Sequence, residues 1–367
     1  MQNKKSQTKS NVKKESPIKR SGATAKTKHS DSRPRCRSTK FQKYLFNIKQ
    51  ISDLLGISRS IVYQAEKSLQ LKGEEVQVGS TVKKLYTWND IHAITKNFSD
   101  KVKTSKPNDL KIKVFCNLKG GVGKSSLGSQ VAMRASANGL RTLIIDLDPQ
   151  AHATLALGYD EISDNCPTIL NCLIGRGEEK RDIEDVAIPV TPFLSLVPSN
   201  LSLSSIEMKL QNDHRRAEKL RALLDPIRKK WDLIIIDTNP SASLLNVNAI
   251  LAADELCVVC ATDFLSVTGL KQLFEIINDL AEDFEDFGPN IRIIPNLFDV
   301  REAIAQESLG VLRQSYGSYL TNTVVRKNVD LKEAQKIAQA VWLYNRKSPA
   351  AEDIIALTNE LITEVEG

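Results

Sequence analysis

Residues 119–126 have the composition of a loop that binds phosphate. They read Lys119-Gly120-Gly121-Val122-Gly123-Lys124-Ser125-Ser126, between an apolar run and a helical pattern. Glycines let successive backbone N–H groups turn towards one anion, and the positive end of the following helix adds to the attraction. Lys124 can reach the β- and γ-phosphates of a nucleotide, and the Ser125 hydroxyl suits magnesium. The stretch therefore predicts a site for ATP and Mg²⁺.

The elements that must position this loop follow from the apolar pattern after Lys111. Apolar runs occur at 112–116, 142–147, 194–198, 233–237, 256–261, 291–297 and 320–325, with helical patterns between most of them. Alternating strands and helices are typical of a parallel sheet that is covered on both faces. Residues 107–367 are therefore predicted to form an α/β domain, a P-loop NTPase core with a mostly parallel sheet.

The phosphate loop departs from the commonest pattern in a specific way. G-x-x-x-x-G-K-S would need glycine at position 118, which is Leu118, and a second lysine, Lys119, opens the loop instead. This form resembles the deviant Walker A box of the MinD/ParA superfamily. The resemblance implies that Lys119 reaches across a nucleotide-sandwich dimer to the phosphates of the partner. Lys119 and Lys124 would then both serve catalysis, and residues 119–126 would all contact nucleotide.

The resemblance extends to two carboxylates and one amide. Leu143–Gln150 resembles switch I of that family, in which Asp148 would orient or activate the attacking water. Asp232–Asp237 resembles Walker B, and Asp237 would hold Mg²⁺ together with Ser125. Asn296 is expected to contact the adenine edge. Two segments depart from the family, because Ala151-His152 replaces the usual Gly-Asn and Asn239-Pro240 replaces Pro-Pro.

The pattern of residues 41–106 predicts a winged helix-turn-helix domain followed by a linker. Two short amphipathic helices are separated by Gly56, and Ser58 can cap the second. Two β-prone runs around Gly79-Ser80 indicate a hairpin. The separate apolar pattern and the polar linker predict that this module folds alone. Its second helix would contact DNA, although a helical dimerisation module is the alternative; the candidate residues are Arg59, Ser60, Tyr63, Gln64 and Lys67.

The positive charge is concentrated at the N-terminus. Residues 1–40 contain 13 Lys/Arg and 2 Asp/Glu, a net charge of +11, so the rest of the chain carries −4. With few large apolar side chains this tail is predicted to be disordered, either as a phosphate-binding arm or as a solvated tail.

No apolar run reaches 18 residues, and no secretory signal is present. The six cysteines show no disulfide or zinc framework, which favours a reducing cytoplasm; Cys257 and Cys260 are expected to be buried.

Together these features resemble a larger ParA-type plasmid partition ATPase with an N-terminal helix-turn-helix. The resemblance implies a slow ATPase that forms an ATP-dependent homodimer on non-specific nucleoid DNA. It also implies binding to an operator, repression of its own operon, and stimulation by a centromere-binding ParB-like partner. One alternative is a transcriptional regulator for which nucleotide is only a ligand. The other, a MinD-like positioning ATPase on a membrane, is disfavoured because the C-terminus is acidic.

Overall fold

The structure is a computed structural model, and it describes residues 41–102, 109, 111–159, 166–174, 180–210 and 215–363. The predicted basic tail (1–40) and most of the predicted linker (103–108 and 110) lie outside the described residues.

The N-terminal module, residues 41–102, contains three helices and a hairpin. The elements are α1 (Ile48–Leu55), α2 (Arg59–Ser68), β1 (Glu74–Val78), β2 (Thr81–Leu85) and α3 (Trp88–Asn97). Gly56 ends α1 in the left-handed conformation, and the Ser58 hydroxyl accepts from the Ile61 N–H at the start of α2. Strands β1 and β2 pair antiparallel. The predicted order of two helices followed by a hairpin is therefore present.

Seven strands form the central sheet of the C-terminal α/β domain. They are β3 (Ile112–Cys116), β4 (Thr142–Asp146), β5 (Ile188–Thr191), β6 (Leu194–Val197), β7 (Leu233–Asp237), β8 (Glu255–Ala261) and β9 (Asn290–Asn296). Their order is β5-β6-β4-β7-β3-β8-β9, and only β5 runs antiparallel to its neighbour. The predicted mostly parallel sheet is confirmed.

Helices cover both faces of this sheet. They are α4 (Lys124–Ala137), α5 (His152–Ala156), α6 (Ile169–Ile174), α7 (Ile183–Val186), α8 (Ile206–Leu210), α9 (Lys219–Leu224), α10 (Leu244–Ala252), α11 (Phe264–Asp283), α12 (Ala303–Tyr316), α13 (Val329–Lys336), α14 (Val341–Tyr344) and α15 (Pro349–Ile362). Neighbouring strand residues, such as Val258 and Val259, belong to two different apolar clusters. The alternation places one core on each face. No helix in the described part of the chain is long and apolar enough to cross a membrane.

Two parts of the predicted strand pattern are wrong. Within the run 320–325 the structure has no regular strand, and Leu320 forms one isolated bridge with Ile293. The backbone of this run is diverted because the N–H groups of Asn322 and Thr323 donate to the Glu360 carboxylate, at 2.6 and 3.0 Å. Conversely, the short edge strand β5 was not predicted, since it holds only four residues and begins Ile-Pro.

The core of the N-terminal module is continuous with that of the α/β domain, in contrast to the predicted separate core. Phe41 stacks edge-on against Trp342 of α14, with ring centroids 6.4 Å apart. His92 of α3 lies 4.4 Å from the Phe193 ring. One apolar cluster contains both Phe41 and Trp342, so no boundary separates the two cores.

Candidate nucleotide site

The phosphate loop joins β3 to α4 with a turn that only glycine fits. Gly121 and Gly123 have φ values of 75° and 97°, in the left-handed region. A Cβ atom at position 123 would also collide with the side-chain nitrogen of Asn296. Gly123 is the N-cap residue of α4, so the loop leads directly into the N-terminus of a 14-residue helix. An anion in this turn would meet unpaired N–H groups and the positive end of the helix dipole.

Lys124 is held under this loop. Its side chain is buried, and Nζ donates to the carbonyl of Lys119 at 3.2 Å. Burial lowers the pKa of Lys124, while Asp237 acts in the opposite direction. A desolvated ammonium gains most from an anion placed beside it, which is what a nucleotide phosphate would supply.

Asp237 is a buried carboxylate without a hydrogen-bond partner. It ends β7, it is fully buried, and neither carboxylate oxygen has a partner. Burial and the nearby Asp146 raise the pKa of Asp237 well above its ordinary range, and the positive charge of Lys124 opposes that shift.

These oxygens fit a magnesium ion. Mg²⁺ prefers carboxylate and hydroxyl oxygens and usually keeps nucleotide and water ligands as well. Ser125, in the first turn of α4, and Asp237 would hold it, and the ion would neutralise phosphate charge when bound. The described residues contain no cluster of three or more His, Cys, Asp or Glu that could form a metal site from protein ligands alone.

The two aspartates after β4 have different environments. Asp146 accepts the N–H and the hydroxyl of Thr154, at 2.8 and 2.7 Å, and burial raises its pKa to about 6. Asp148 accepts only the Gln150 N–H at its Oδ1, at 2.9 Å, and its Oδ2 lies 3.5 Å from His152 Nδ1. Asp146 is therefore used to fix the switch segment, whereas Asp148 keeps acceptor capacity towards the cavity.

Seven of the eleven residues predicted for nucleotide, magnesium and catalysis line one cavity of about 670 Å³. It is lined by Gly120, Gly121, Gly123, Lys124, Ser125, Ser126, Asp148, Gln150, His152, Leu155, Ala156, Gly158, Pro240, Gln335, Lys336 and Ala338. The predicted residues Lys119, Val122, Asp237 and Asn296 do not line it. The last segment, from the end of α13, was not predicted; the Ser126 hydroxyl donates to Gln335 Oε1 at 3.0 Å.

Asn296 supports the phosphate loop from below. It is the last residue of β9, and its Nδ2 donates to the Val122 carbonyl at 2.7 Å. Its Oδ1 is buried without a partner. The contact with adenine stays a prediction, because the contact in the structure is with the loop backbone.

Lys119 pairs with a residue that the sequence did not single out. Its Nζ lies 2.7 Å from Oδ1 of Asp263, the N-cap residue of α11. An aspartate immediately before a helical pattern is a helix-start signal that could have drawn attention to it.

None of the five candidate DNA contacts lines the nucleotide cavity. All five are exposed on α2, and Tyr63 is 56% exposed; they are Arg59, Ser60, Tyr63, Gln64 and Lys67.

The two cysteines of β8, Cys257 and Cys260, are fully buried, as expected.

Comparison with known proteins identifies the family. A profile of the family described as AAA domain matches residues 110–292. The cell division protein PomZ of Myxococcus xanthus is 35% identical over 68% of this chain and 77% of PomZ. The chromosome partitioning protein ParA of the same bacterium is 32% identical over 68% of this chain and 88% of that protein.

Two solved structures share the fold. McdA from Cyanothece, solved as an ATP complex, matches with a TM-score of 0.62 and 22% identity over 70% of this chain and 99% of McdA. A partition protein matches with a TM-score of 0.59 and 21% identity over 87% of this chain and 94% of that protein. The second match covers more than the residues after position 110, so it extends into the N-terminal module. From the similarity to PomZ and ParA, the chain belongs to the family of ParA-type ATPases.

Proposed function

We propose that this protein is a DNA-partition ATPase that closes as an ATP-dependent homodimer on DNA and releases DNA after hydrolysis. One observation supports the proposal most: Lys124, Ser125 and Asp148 line a single cavity, and the unpartnered carboxylate of Asp237 lies behind it. These groups suit the phosphates, the magnesium ion and the attacking water of one reaction.

In the proposed reaction, water attacks the γ-phosphorus and the bond to the β-phosphate oxygen breaks, which yields ADP and phosphate. Asp148 would orient the water by accepting its hydrogen bond. Lys124 would compensate the phosphate charge, and Ser125 with Asp237 would hold magnesium. Thr154 donates two hydrogen bonds to the Asp146 carboxylate. Because Asp148 lies only two residues beyond Asp146, these bonds also restrict the backbone that carries Asp148.

The proposed dimer brings the surface around Lys119, beyond the carboxyl end of β3, against a second copy of the chain. Lys119 is one-third exposed, so its ammonium can reach another molecule. The next residues after Asp263, Phe264 and Leu265, are 64% and 67% exposed. Adjacent large apolar side chains at a surface favour burial in an interface, and the second copy is the occupant that the in-trans lysine requires.

The N-terminal module is proposed to be a winged helix-turn-helix that reads an operator and thereby represses its own operon. The exposed face of α2 fits a recognition helix, and the hairpin β1–β2 fits the wing. The likeness to a partition protein over 87% of the chain supports a common architecture for this part. The positive N-terminal tail would add non-specific phosphate contacts on the nucleoid.

A centromere-binding, ParB-like partner is proposed to stimulate hydrolysis. Asp148→Ala tests the cycle, because it should bind Mg-ATP and dimerise but hydrolyse roughly 10²–10⁴-fold more slowly. The variant should then stay on non-specific DNA when ATP is washed away, as surface retention measures. Asp279→Ala is the matched control and should hydrolyse at the parent rate, since that carboxylate is exposed on α11 and does not line the cavity. Hydrolysis at the parent rate by the Asp148 variant would contradict the proposed mechanism.

Operator recognition has its own test. Arg59→Ala and Gln64→Ala should weaken footprint protection upstream of the gene, whereas Lys96→Ala, at the exposed end of α3, should not. Point variants are preferable to removal of residues 1–106, because Phe41 packs on Trp342 of the ATPase domain. Unaltered protection by both α2 variants would place recognition elsewhere.

The likeness to PomZ favours a second candidate, a positioning ATPase that serves cell division rather than DNA segregation. A membrane-bound, MinD-like form of this candidate is not favoured, because the apolar residues Ile354, Leu357 and Leu361 of α15 are buried in the core and are not available to a membrane. A regulator that uses nucleotide only as a ligand is the third reading. Single-turnover hydrolysis with and without DNA separates that regulator from an ATPase, and localisation of the protein relative to replicon and division site separates the two ATPases.

A further inference from the structure

The Lys119–Asp263 ion pair connects the start of the phosphate loop to the start of α11. Its 2.7 Å separation is that of a charge-assisted hydrogen bond, and the two side chains are 33% and 44% exposed. The backbone of Lys119 is fixed as well: its N–H donates to Asn117 Oδ1 at 2.9 Å, and Asn117 Nδ2 donates to the Val259 carbonyl at 2.7 Å. Loop and strand β8 are thus tied together beside the pair.

Asp263 is also held in place. Its Oδ1 accepts the Ser266 N–H at 2.8 Å, and its Oδ2 accepts the Ser266 hydroxyl at 3.0 Å. Although partial burial acts to raise the pKa of Asp263, Lys119 and Ser266 hold it below its ordinary range. The carboxylate is therefore a fixed negative charge at neutral pH.

We propose that the Lys119–Asp263 pair is a latch that restrains dimerisation: Lys119 must exchange the Asp263 carboxylate of its own chain for the γ-phosphate of the partner's ATP. This inference rests on the proposed function, in which Lys119 acts across the dimer. Both acceptors are anionic and both require the same ammonium tip, so formation of one contact costs the other. Asp263 would be a positioning residue that sets how much protein is needed to form the ATP dimer.

The expected effect is moderate. A partly exposed ion pair changes an equilibrium by roughly two- to fivefold. Each dimer engages two Lys119 side chains, so the factor enters the dimerisation constant twice. Opening both latches should strengthen dimerisation by roughly four- to twenty-five-fold.

Asp263→Asn is the most specific test, because asparagine is as good an N-cap as aspartate but carries no charge. Sedimentation with saturating ATP and Mg²⁺ should show its dimer at roughly four- to twenty-five-fold lower protein concentration than the parent. Asp283→Asn removes a charge from the exposed other end of α11 and should behave like the parent. Equal or weaker dimerisation of Asp263→Asn would overturn the latch.

Two further variants of the chain complete the test. Asp263→Ala removes both the charge and the cap, so it should melt at lower temperature yet share the gain in dimerisation; a loss of that gain would overturn the latch. Lys119→Ala should bind nucleotide without dimerising. If the parent itself binds ATP and never dimerises, the proposed function is wrong, and the latch, which depends on it, is wrong as well. If the parent dimerises and Asp263→Asn matches Asp283→Asn, only the latch fails.

Discussion

At the scale of single residues, Asp237 shows how the site trades stability for binding. A buried carboxylate without a partner raises the free energy of the folded chain, because desolvation is not offset by hydrogen bonds. Its pKa is raised for that reason, so its ionised form is disfavoured. The raised pKa also fixes the sign of the pH effect of this group: the contribution of Asp237 to the stability of the fold falls as pH rises above the ordinary carboxyl pKa of 3.8.

Asp237→Asn should therefore stabilise the protein in the absence of Mg²⁺ and nucleotide. We expect a gain on the order of 1 kcal/mol near neutral pH, or about 2 °C in Tm, that shrinks as pH falls towards 4. The same variant should lose the added stability that Mg-ATP gives the parent. Calorimetry across pH measures both effects.

Asp232→Asn is the control for that experiment, since Asp232 stands just before the same strand but accepts three hydrogen bonds from Arg141. It should lower Tm slightly. A lower Tm for Asp237→Asn than for the parent at every pH would contradict the argument.

Ala151 is strained in a position that suits glycine. Its φ is 56°, and it is the N-cap residue of α5 in the switch segment. A left-handed conformation costs an alanine roughly 1–2 kcal/mol, partly offset by the lower chain entropy relative to glycine. The family usually has glycine here, so the departure noticed in the sequence has a physical consequence in the structure.

Ala151→Gly should raise the free energy of unfolding by about 0.5–1 kcal/mol. Urea unfolding measures this change. Ala153→Gly is the matched control, because Ala153 is buried inside α5 and glycine should destabilise that position by a similar amount. If both variants lose stability equally, the strain at Ala151 has no energetic importance.

At the scale of elements, buried strands were predictable and their irregular neighbours were not. Continuous apolar runs located β3, β4 and β7 because both faces of a parallel strand are covered. The run 320–325 looked the same by composition, but Glu360, which lies 38 residues further on, takes up the N–H of Asn322. No local pattern contains that information.

The candidate site was predictable to the same extent. Local motifs located Lys124, Ser125 and Asp148, because loop, helix start and strand end are encoded by adjacent residues. The partners Asp263 and Gln335 lie 144 and 209 residues from Lys119 and Ser126, so only the fold brings them together.

Strands β3 and β8 are joined by a fully buried ion pair, and substitutions at this pair measure what a buried charge costs the sheet. Lys113 Nζ lies 2.8 Å from Glu255 Oε1, and both side chains are 0% exposed. Lys113→Met should cost about 3–5 kcal/mol, because it leaves the Glu255 carboxylate buried with Arg292 as its remaining cation, at 3.3 Å.

Adding Glu255→Met to Lys113→Met should recover much of that loss, since no unpaired carboxylate is left. Urea unfolding of the two single variants and the double variant completes the cycle. Losses that simply add would show that the pair contributes no coupling.

At the scale of the whole molecule, one helix connects the nucleotide cavity with the N-terminal module. Helix α4 starts at Lys124 in the phosphate loop, and near its end the Arg134 guanidinium lies 5.3 Å from the centre of the Trp342 ring. Trp342 in turn contacts Phe41, at 6.4 Å. Arg346 reinforces the junction through Asp53 of α1, at 3.6 Å. Module and ATPase domain are therefore expected to unfold as one cooperative unit.

This cooperativity gives a last prediction, that nucleotide stabilises a module it does not touch. At about 100 times its Kd, a ligand of the folded state adds about 2.7 kcal/mol, which slows global opening about a hundredfold. Mg-ADP should therefore slow amide exchange in α3 about as much as in α4. ADP is preferable to ATP because dimerisation then makes no contribution. Trp342→Ala should confine the effect to α4, whereas Tyr344→Ala, on the exposed side of α14, should leave it intact. If Mg-ADP protects α4 alone in the parent, the contacts around Trp342 do not couple the two parts.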